Sequence, residues 1–276
     1  MIEVCSMSTE KLTEKLQKKE MEMLVQLSGI LEQNNIPFWL ACGTTLGCVR
    51  HQGFIPWDDD VDIYVMGKDY PRLKEVFATQ DTGNLCLQDY LTVDGYPYSF
   101  PKVVALDTVL VEKDLTHLQY RGGVYIDIFL LQETSANSLV RFCSEKVRYI
   151  RYCLLRSYYF DFSSSLRKVM HWLVKAFVNP ESVQTRLYRR YVKGLKKPGF
   201  LVDTGTFGRQ ALLDSGYFAE TDKLPYEGAL MPVPGDYHGY LAHYYGDYMR
   251  LPDEDKRVSN HDFETLIFRD EEGKEQ

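Results

Sequence analysis

Leu12, Leu16, Met23, Leu27 and Ile30 recur at helical spacing, with Lys and Glu between them. The pattern predicts a helix that Ser8 or Thr9 can cap and that Asn34-Asn35 ends. Residues 36–41, an apolar run broken by Gly43-Thr44, read as a short buried strand, and Thr44 to Arg50 as a short helix. A loop punctuated by Gly53 and Pro56 follows. Val61, Ile63, Tyr64 and Val65 mark the next strand. Gly67-Lys68-Asp69 turns the chain, and Asp69 is placed to cap a helix to about Ala78. Strands are predicted over 85–91, 102–106, 108–112 and 124–130. From Ser138 to about Lys193 the pattern is helical and basic. The tail from Pro225, rich in Tyr, Gly and Pro, reads as irregular structure around a few helical turns. The fold class expected is therefore α+β: a mixed β-sheet core with flanking helices and a helical, basic C-terminal half. Residues 1–135 would form the core and 136–276 the helical part, as one integrated unit.

Composition narrows the class. The chain has 276 residues, 45% hydrophobic and 26% charged, which excludes collagen, a membrane bundle and wholesale disorder. No apolar stretch approaches the roughly 20 residues that span a bilayer, and the start lacks the marks of a secretory signal. Six scattered cysteines, with no C-x-x-C pair, point to reduced thiols and a cytoplasmic protein. The net charge of −7 is uneven. Residues 141–200 hold 14 Lys+Arg and 3 Asp+Glu, a balance of +11, which leaves −18 elsewhere. An acidic chain with no reading motif is not expected to bind nucleic acid.

The chemistry concentrates in Pro56-Trp57-Asp58-Asp59-Asp60-Val61-Asp62. In an extended chain Asp58, Asp60 and Asp62 leave one face, and such carboxylates stay ionised cheaply only around a cation. Oxygen-only ligands favour Mg²⁺ or Mn²⁺. A solvated acidic turn is the plain alternative. A calcium loop fits poorly, because Ile63 stands where a Gly is required and Asp69 where Glu is. Asp127 lies inside the apolar run 124–130. It reads either as a hydrogen-bonded buried acid, as a strand-end residue, or as a further carboxylate brought to Asp60 and Asp62 by strand pairing.

A Gly-Thr after one strand, D-x-D on the next and an acid within a later apolar strand resemble the nucleotidyltransferase fold. Residues 42–65, Cys-Gly-Thr-Thr-Leu-Gly-Cys-Val-Arg-His-Gln-Gly-Phe-Ile-Pro-Trp-Asp-Asp-Asp-Val-Asp-Ile-Tyr-Val, closely resemble the signature of the LicD family of phosphotransferases, related to fukutin and fukutin-related protein. Tyr245-Gly246-Asp247-Tyr248-Met249-Arg250-Leu251-Pro252, with Arg257 and His261, looks like that family's closing motif. Cys48 and Gln52 depart from the Ala and Lys expected there, and the cysteine-rich zinc element of some relatives is absent.

The resemblance implies transfer of a phospho-alcohol such as phosphocholine from a CDP-activated donor to a sugar hydroxyl of a glycan or its lipid-linked precursor, with CMP leaving. It implies that Asp60 and Asp62 hold Mg²⁺, that Asp127 completes a second metal position or takes the acceptor proton, and that Asp58 is a further ligand or orients the others. Gly43 and Thr44 would cradle phosphate, with Arg50 and Lys102 as phosphate cations. Trp57 would stack on the donor or plug the core, and His51 and His261 would make polar contacts. Tyrosines near Tyr96 and Tyr98, around Tyr152, Tyr158 and Tyr159, and between Tyr237 and Tyr248 could cage a choline. The basic stretch could hold the enzyme at the anionic inner face of a membrane. Two rival readings stand beside this one: an NDP-sugar glycosyltransferase using D-x-D, and a non-catalytic membrane-surface module.

Overall fold

The computed structural model describes residues 9–118, 120, 122–135, 137–159, 172–173, 176–191, 200–259 and 263–269. Helix α1 (Thr9–Gln33) carries a buried stripe of Leu16, Met23, Leu24, Leu27 and Leu31. It covers a mixed sheet made of β1 (Phe38–Leu40), β2 (Val61–Met66), β3 (Leu85–Gln88), β4 (Lys102–Ala105), β6 (Tyr125–Thr134), β7 (Phe200–Asp203) and β8 (Leu212–Asp214). The strand order is β1-β2-β6-β4-β3, with β7 on the distal half of β6 and β8 beyond it. Only β2 and β6 run parallel; the other pairs are antiparallel. Strand β6 is buried at all ten positions, and β2 at five of six. Near-continuous apolar runs such as these suit central strands covered on both faces.

Helix α2 (Cys42–His51) follows β1, and α3 (Tyr70–Thr79) follows β2 through a short 3-10 turn. Strand β5 (Thr108–Glu112) leaves the main sheet to pair with β11 (Phe263–Phe268). Helices α4 (Ser138–Tyr159) and α5 (Pro180–Tyr191) pack together, joined by Arg190, which donates to the Ser144 carbonyl at 2.9 Å. Strands β9 (Thr221–Tyr226) and β10 (Ala229–Pro234) form a hairpin, and α6 (Tyr237–Tyr245) follows.

Three expectations need correction. The C-terminal half is not helical throughout. Phe200–Asp203 adds β7 to the sheet, and the Pro225 tail holds a regular hairpin, α6 and β11. The prolines hid the hairpin, because Pro argues against a strand unless it sits on an unpaired edge. This ladder has only two strands, and Glu227 at φ 48° with Gly228 at φ 81° makes the left-handed turn that a tight hairpin requires. Gly43-Thr44 is not a break: α2 already begins at Cys42, whose φ is 43°. Asp69 occupies the cap position of α3 without a side-chain cap bond, and instead approaches Arg72 at 3.8 Å.

Candidate active site

Strand pairing brings the acids together across the sheet. Asp62 on β2 lies in register with Asp127 on β6, and Asp127 with Lys102 on β4. Residues in register share a face, so the three side chains form a row. All are buried, at 8%, 6% and 2% exposure. Lys102 Nζ stands 2.8 Å from Asp127 Oδ1. Asp127 is thus an ion-paired buried acid that also adjoins Asp62. One Asp62 oxygen, Oδ1, is buried with no hydrogen-bond partner. Burial, then the charges of Asp60, Asp127, Asp58 and Asp203, push the Asp62 carboxyl well above the usual range.

The first turn of α2 lies against this row. The Asp62 amide donates to Thr44 Oγ1 at 2.9 Å, and the Ala41 amide donates to the Asp62 carbonyl at 2.9 Å. A Cβ built on Gly43 would stand 3.0 Å from Asp58 Oδ2, so glycine lets that carboxylate come up to the helix N-terminus. Helix α2 has no side-chain cap. Its N-terminal turn is the kind of structure that receives phosphate. Asp58 itself sits in a turn, with its amide donating to the Ile55 carbonyl at 2.9 Å and its carbonyl accepting from Gln17 Nε2 at 2.7 Å. Asp60 precedes β2. The alternation expected for Asp58, Asp60 and Asp62 is therefore strand geometry only at Asp62.

The other expected residues divide. Arg50 lies in the last turn of α2, about 10 Å along the axis from Gly43 at 1.5 Å per residue. It donates to the Tyr248 carbonyl at 2.9 Å and to His51 Nδ1 at 3.4 Å. Trp57 meets His51 edge-on at 6.4 Å and lies under Arg257 at 5.7 Å. Ser259 hydrogen-bonds Asp59. These contacts join the two motifs, which lie about 200 positions apart, at one place. His261 lies outside the described residues. The Lys102 charge is directed at Asp127 and boxed by Tyr125, Tyr98 and Phe100 at 3.3, 4.2 and 5.6 Å.

That box involves one of the tyrosines expected to cage a choline, Tyr98, whose face is turned to Lys102. Tyr96, Tyr98 and Tyr120 stand edge to face, and of the three Tyr98 carries the protein's own lysine over its ring. The neighbouring cavity lined by Tyr70, Tyr90, Tyr96 and Tyr188 holds about 20 Å³, room for a water, and a second, lined by Tyr98, Phe100, Glu112 and Tyr152, holds about 260 Å³.

Sequence reasoning missed two groups. Glu20 of α1 is 2% exposed, and its Oε2 is buried without a partner. Burial, then Asp60, Asp59, Asp58 and Asp127, raise its carboxyl well above the ordinary value. The signal was present: Glu20 sits four residues after Leu16 and four before Leu24, in the core stripe of α1. The second group is a network around Asp203 on β7. Asp203 Oδ2 accepts from Tyr64 at 2.9 Å and Tyr244 at 2.6 Å. Tyr240 donates to Tyr64 at 3.2 Å and receives the Cys42 amide at 2.8 Å. This network fixes the strand-to-helix turn where Cys42 is left-handed.

The residues present suit a hard divalent cation in one respect. Asp62 offers a buried, unpartnered oxygen among mutually repelling carboxylates. No three acidic, His or Cys side chains among the described residues form a ready-made cage. Mg²⁺ usually takes one or two carboxylates and completes its shell with water and substrate phosphates, so such a site does not require a full cage.

Residues 35–137 match the family model described as LicD/FKTN/FKRP, nucleotidyltransferase domain. The chain is 25% identical over 264 residues to lipopolysaccharide cholinephosphotransferase LicD of Haemophilus influenzae, covering 90% of this chain and 95% of that protein. It is 36% identical over 109 residues to ribitol-5-phosphate transferase FKTN of Mus musculus, covering 38% of this chain and 23% of that one. Against ribitol 5-phosphate transferase FKRP of Homo sapiens the identity is 38% over 48 residues, covering 17% and 10% of the two chains.

Proposed function

We propose that this chain of a phosphotransferase family moves a phospho-alcohol, phosphocholine-like, from a CDP-activated donor to a glycan hydroxyl and releases CMP. One observation carries the reading: the Asp62 amide is held by Thr44 while Asp62 lies beside Asp127, so the Gly43-Thr44 turn and two carboxylates share one site. Phosphoryl transfer asks for little covalent work from the protein. It asks for phosphate placed in line and for developing charge to be neutralised. The N-terminus of α2 would receive the phosphate. Asp60 and Asp62 would hold Mg²⁺ or Mn²⁺, which supplies charge neutralisation on the diphosphate when bound. Asp127, ion-paired with Lys102, would accept the proton of the acceptor hydroxyl or orient it. Lys102 thus acts through Asp127 and not on phosphate.

The test is CMP release from a panel of CDP-alcohols with Mg²⁺ and a glycan acceptor, for the wild type, Asp60→Asn and Asp62→Asn. Each variant should retain the far-ultraviolet spectrum and lose turnover by at least about a hundredfold, the equivalent of roughly 3 kcal/mol. Wild-type turnover in either variant, or consumption of UDP-sugars in place of CDP-alcohols, would refute the reading.

A further inference from the structure

Helix α4 is amphipathic in the wrong direction for a helix that serves only a core. Its inner face holds Arg148, Leu155 and Tyr159, all buried. Its outer half-turn, spanning about 180° at 3.6 residues per turn, presents Leu139, Val140, Phe142, Val147, Tyr149 and Ile150. These are 42% to 69% exposed. Trp172, Leu173 and Phe177 are exposed as well, at 67%, 43% and 82%. Among the described residues, nine of the 17 large exposed apolar side chains thus fall within residues 139–177. Scattered exposed apolar residues are ordinary, but a contiguous patch with a polar rim marks an interaction surface.

The rim has one sign. Arg156 is exposed and Arg151 half-exposed, while the exposed Lys146 falls within the apolar arc itself. On the helical wheel Arg151 and Arg156 fall on opposite borders of the apolar arc. The one acid of α4, Glu145, is turned inward and neutralised by Arg148 at 2.7 Å and Arg190 at 3.5 Å. On α5, Arg186 and Arg189 are exposed as well, against one exposed acid, Glu181, in its first turn. The remainder of the chain outside residues 141–200 carries −18. An anionic surface would therefore attract the exposed bases of α4 and α5 and repel the acidic remainder.

We infer that the outer face of α4 rests on an anionic lipid membrane, with its apolar arc at the acyl boundary and its arginines at the headgroups. An apolar arc bordered by basic residues is the arrangement of helices that lie in the membrane interface. The charge argues against a second copy of the chain, since a symmetric pairing of this face would oppose its own arginines. No helix among the described residues is long and apolar enough to cross a membrane, so the association is peripheral. The inference is independent of which reaction the acids perform.

Co-sedimentation of the full chain with phosphatidylcholine vesicles, with and without phosphatidylglycerol, tests it. The protein should pellet with the anionic vesicles at low salt, bind less at physiological salt as screening shortens to about 8 Å, and stay in solution with the neutral ones. Phe142→Ser with Ile150→Ser should lower the bound fraction at least about tenfold, as should Arg151→Glu with Arg156→Glu. All these positions are at least partly exposed, and unchanged urea midpoints would show that both variants fold. Equal recovery on neutral and anionic vesicles, or undiminished binding by both folded double variants, would overturn the inference. So would a concentration-dependent dimer that the serine variant dissolves, in a wild type that ignores vesicles.

Discussion

Replacing Lys102 by Met keeps most of the stem and removes the ammonium. Lys102 Nζ lies 2.8 Å from Asp127 Oδ1, with both side chains less than a tenth exposed. At an effective dielectric of about 20, charges at that separation attract by roughly 6 kcal/mol before desolvation is subtracted. The double replacement avoids a different cost from either single one. Lys102→Met leaves a buried carboxylate beside Asp62 with its cation gone, and breaking a buried pair from one side costs about 3–5 kcal/mol. Asp127→Asn leaves the ammonium over the faces of Tyr125 and Tyr98, which retain up to about 2 kcal/mol of cation–π attraction. It should cost less than Lys102→Met. The pair Lys102→Met/Asp127→Asn strands no charge and should recover most of the loss. Urea unfolding of the four proteins at neutral pH gives the cycle. A Lys102→Met cost below about 1 kcal/mol, or a double variant no more stable than Lys102→Met, would refute the account of this row.

Chelation should stop transfer, and Mg²⁺ should raise the melting temperature of the wild type but not of Asp62→Asn, as scanning calorimetry can show; equal shifts in the two would remove Asp62 from the ligand set. Glu20 has a folded-state carboxyl raised above the ordinary value of about 4.5 by burial and then by Asp60, Asp59, Asp58 and Asp127. The stability it contributes as a protonated group is full below that value and is lost as pH rises towards the raised one. Glu20→Gln should therefore match the wild type in acid and become relatively more stable towards neutral pH, and parallel urea midpoints at all pH values would contradict this. Tyr240→Phe removes the acceptor of the Cys42 amide and should cost about 1–3 kcal/mol, with a rise in KM for the donor if the α2 turn receives phosphate; a neutral effect on both would show that the turn holds itself.

Much of the central sheet was legible because its strands carry long apolar runs. Val61 to Val65 and residues 124–130 announce central strands, and the Leu and Met stripe announces α1. The acid row was legible from chemistry more than from periodicity, since Asp127 is costly inside an apolar run unless something nearby answers it. What answers it, Lys102, was expected to contact phosphate. Its burial follows from antiparallel register, which one strand's pattern cannot specify. Glu20 escaped notice because an amphipathic stripe is read for its apolar members, and a single acid in it looks like the polar face. Strand β7 and the β9–β10 hairpin were missed for opposite reasons. The first is only four residues long, and the second carries prolines that speak against a ladder.

The family match ends at residue 137, yet the geometry of the acids does not. Cys42 holds φ 43°, a conformation uncommon for any residue with a Cβ, and such backbone persists only where surrounding contacts fix it. Here those contacts come from beyond residue 200. Tyr240 takes the Cys42 amide, Tyr240 and Tyr244 are linked through Tyr64 and Asp203, and Arg50 closes the far end of α2 on the Tyr248 carbonyl. The turn that faces Asp62 is thus shaped by a tyrosine network whose anchor lies on β7, a strand paired with the distal half of β6, the strand whose opening residues include Asp127. The same strand carries the acid at one end and, at the other, the partner that organises the helix above it. A change at Asp203 can therefore disturb the Gly43-Thr44 turn without touching any acid of the row, which is the physical reason that the C-terminal residues belong to the site.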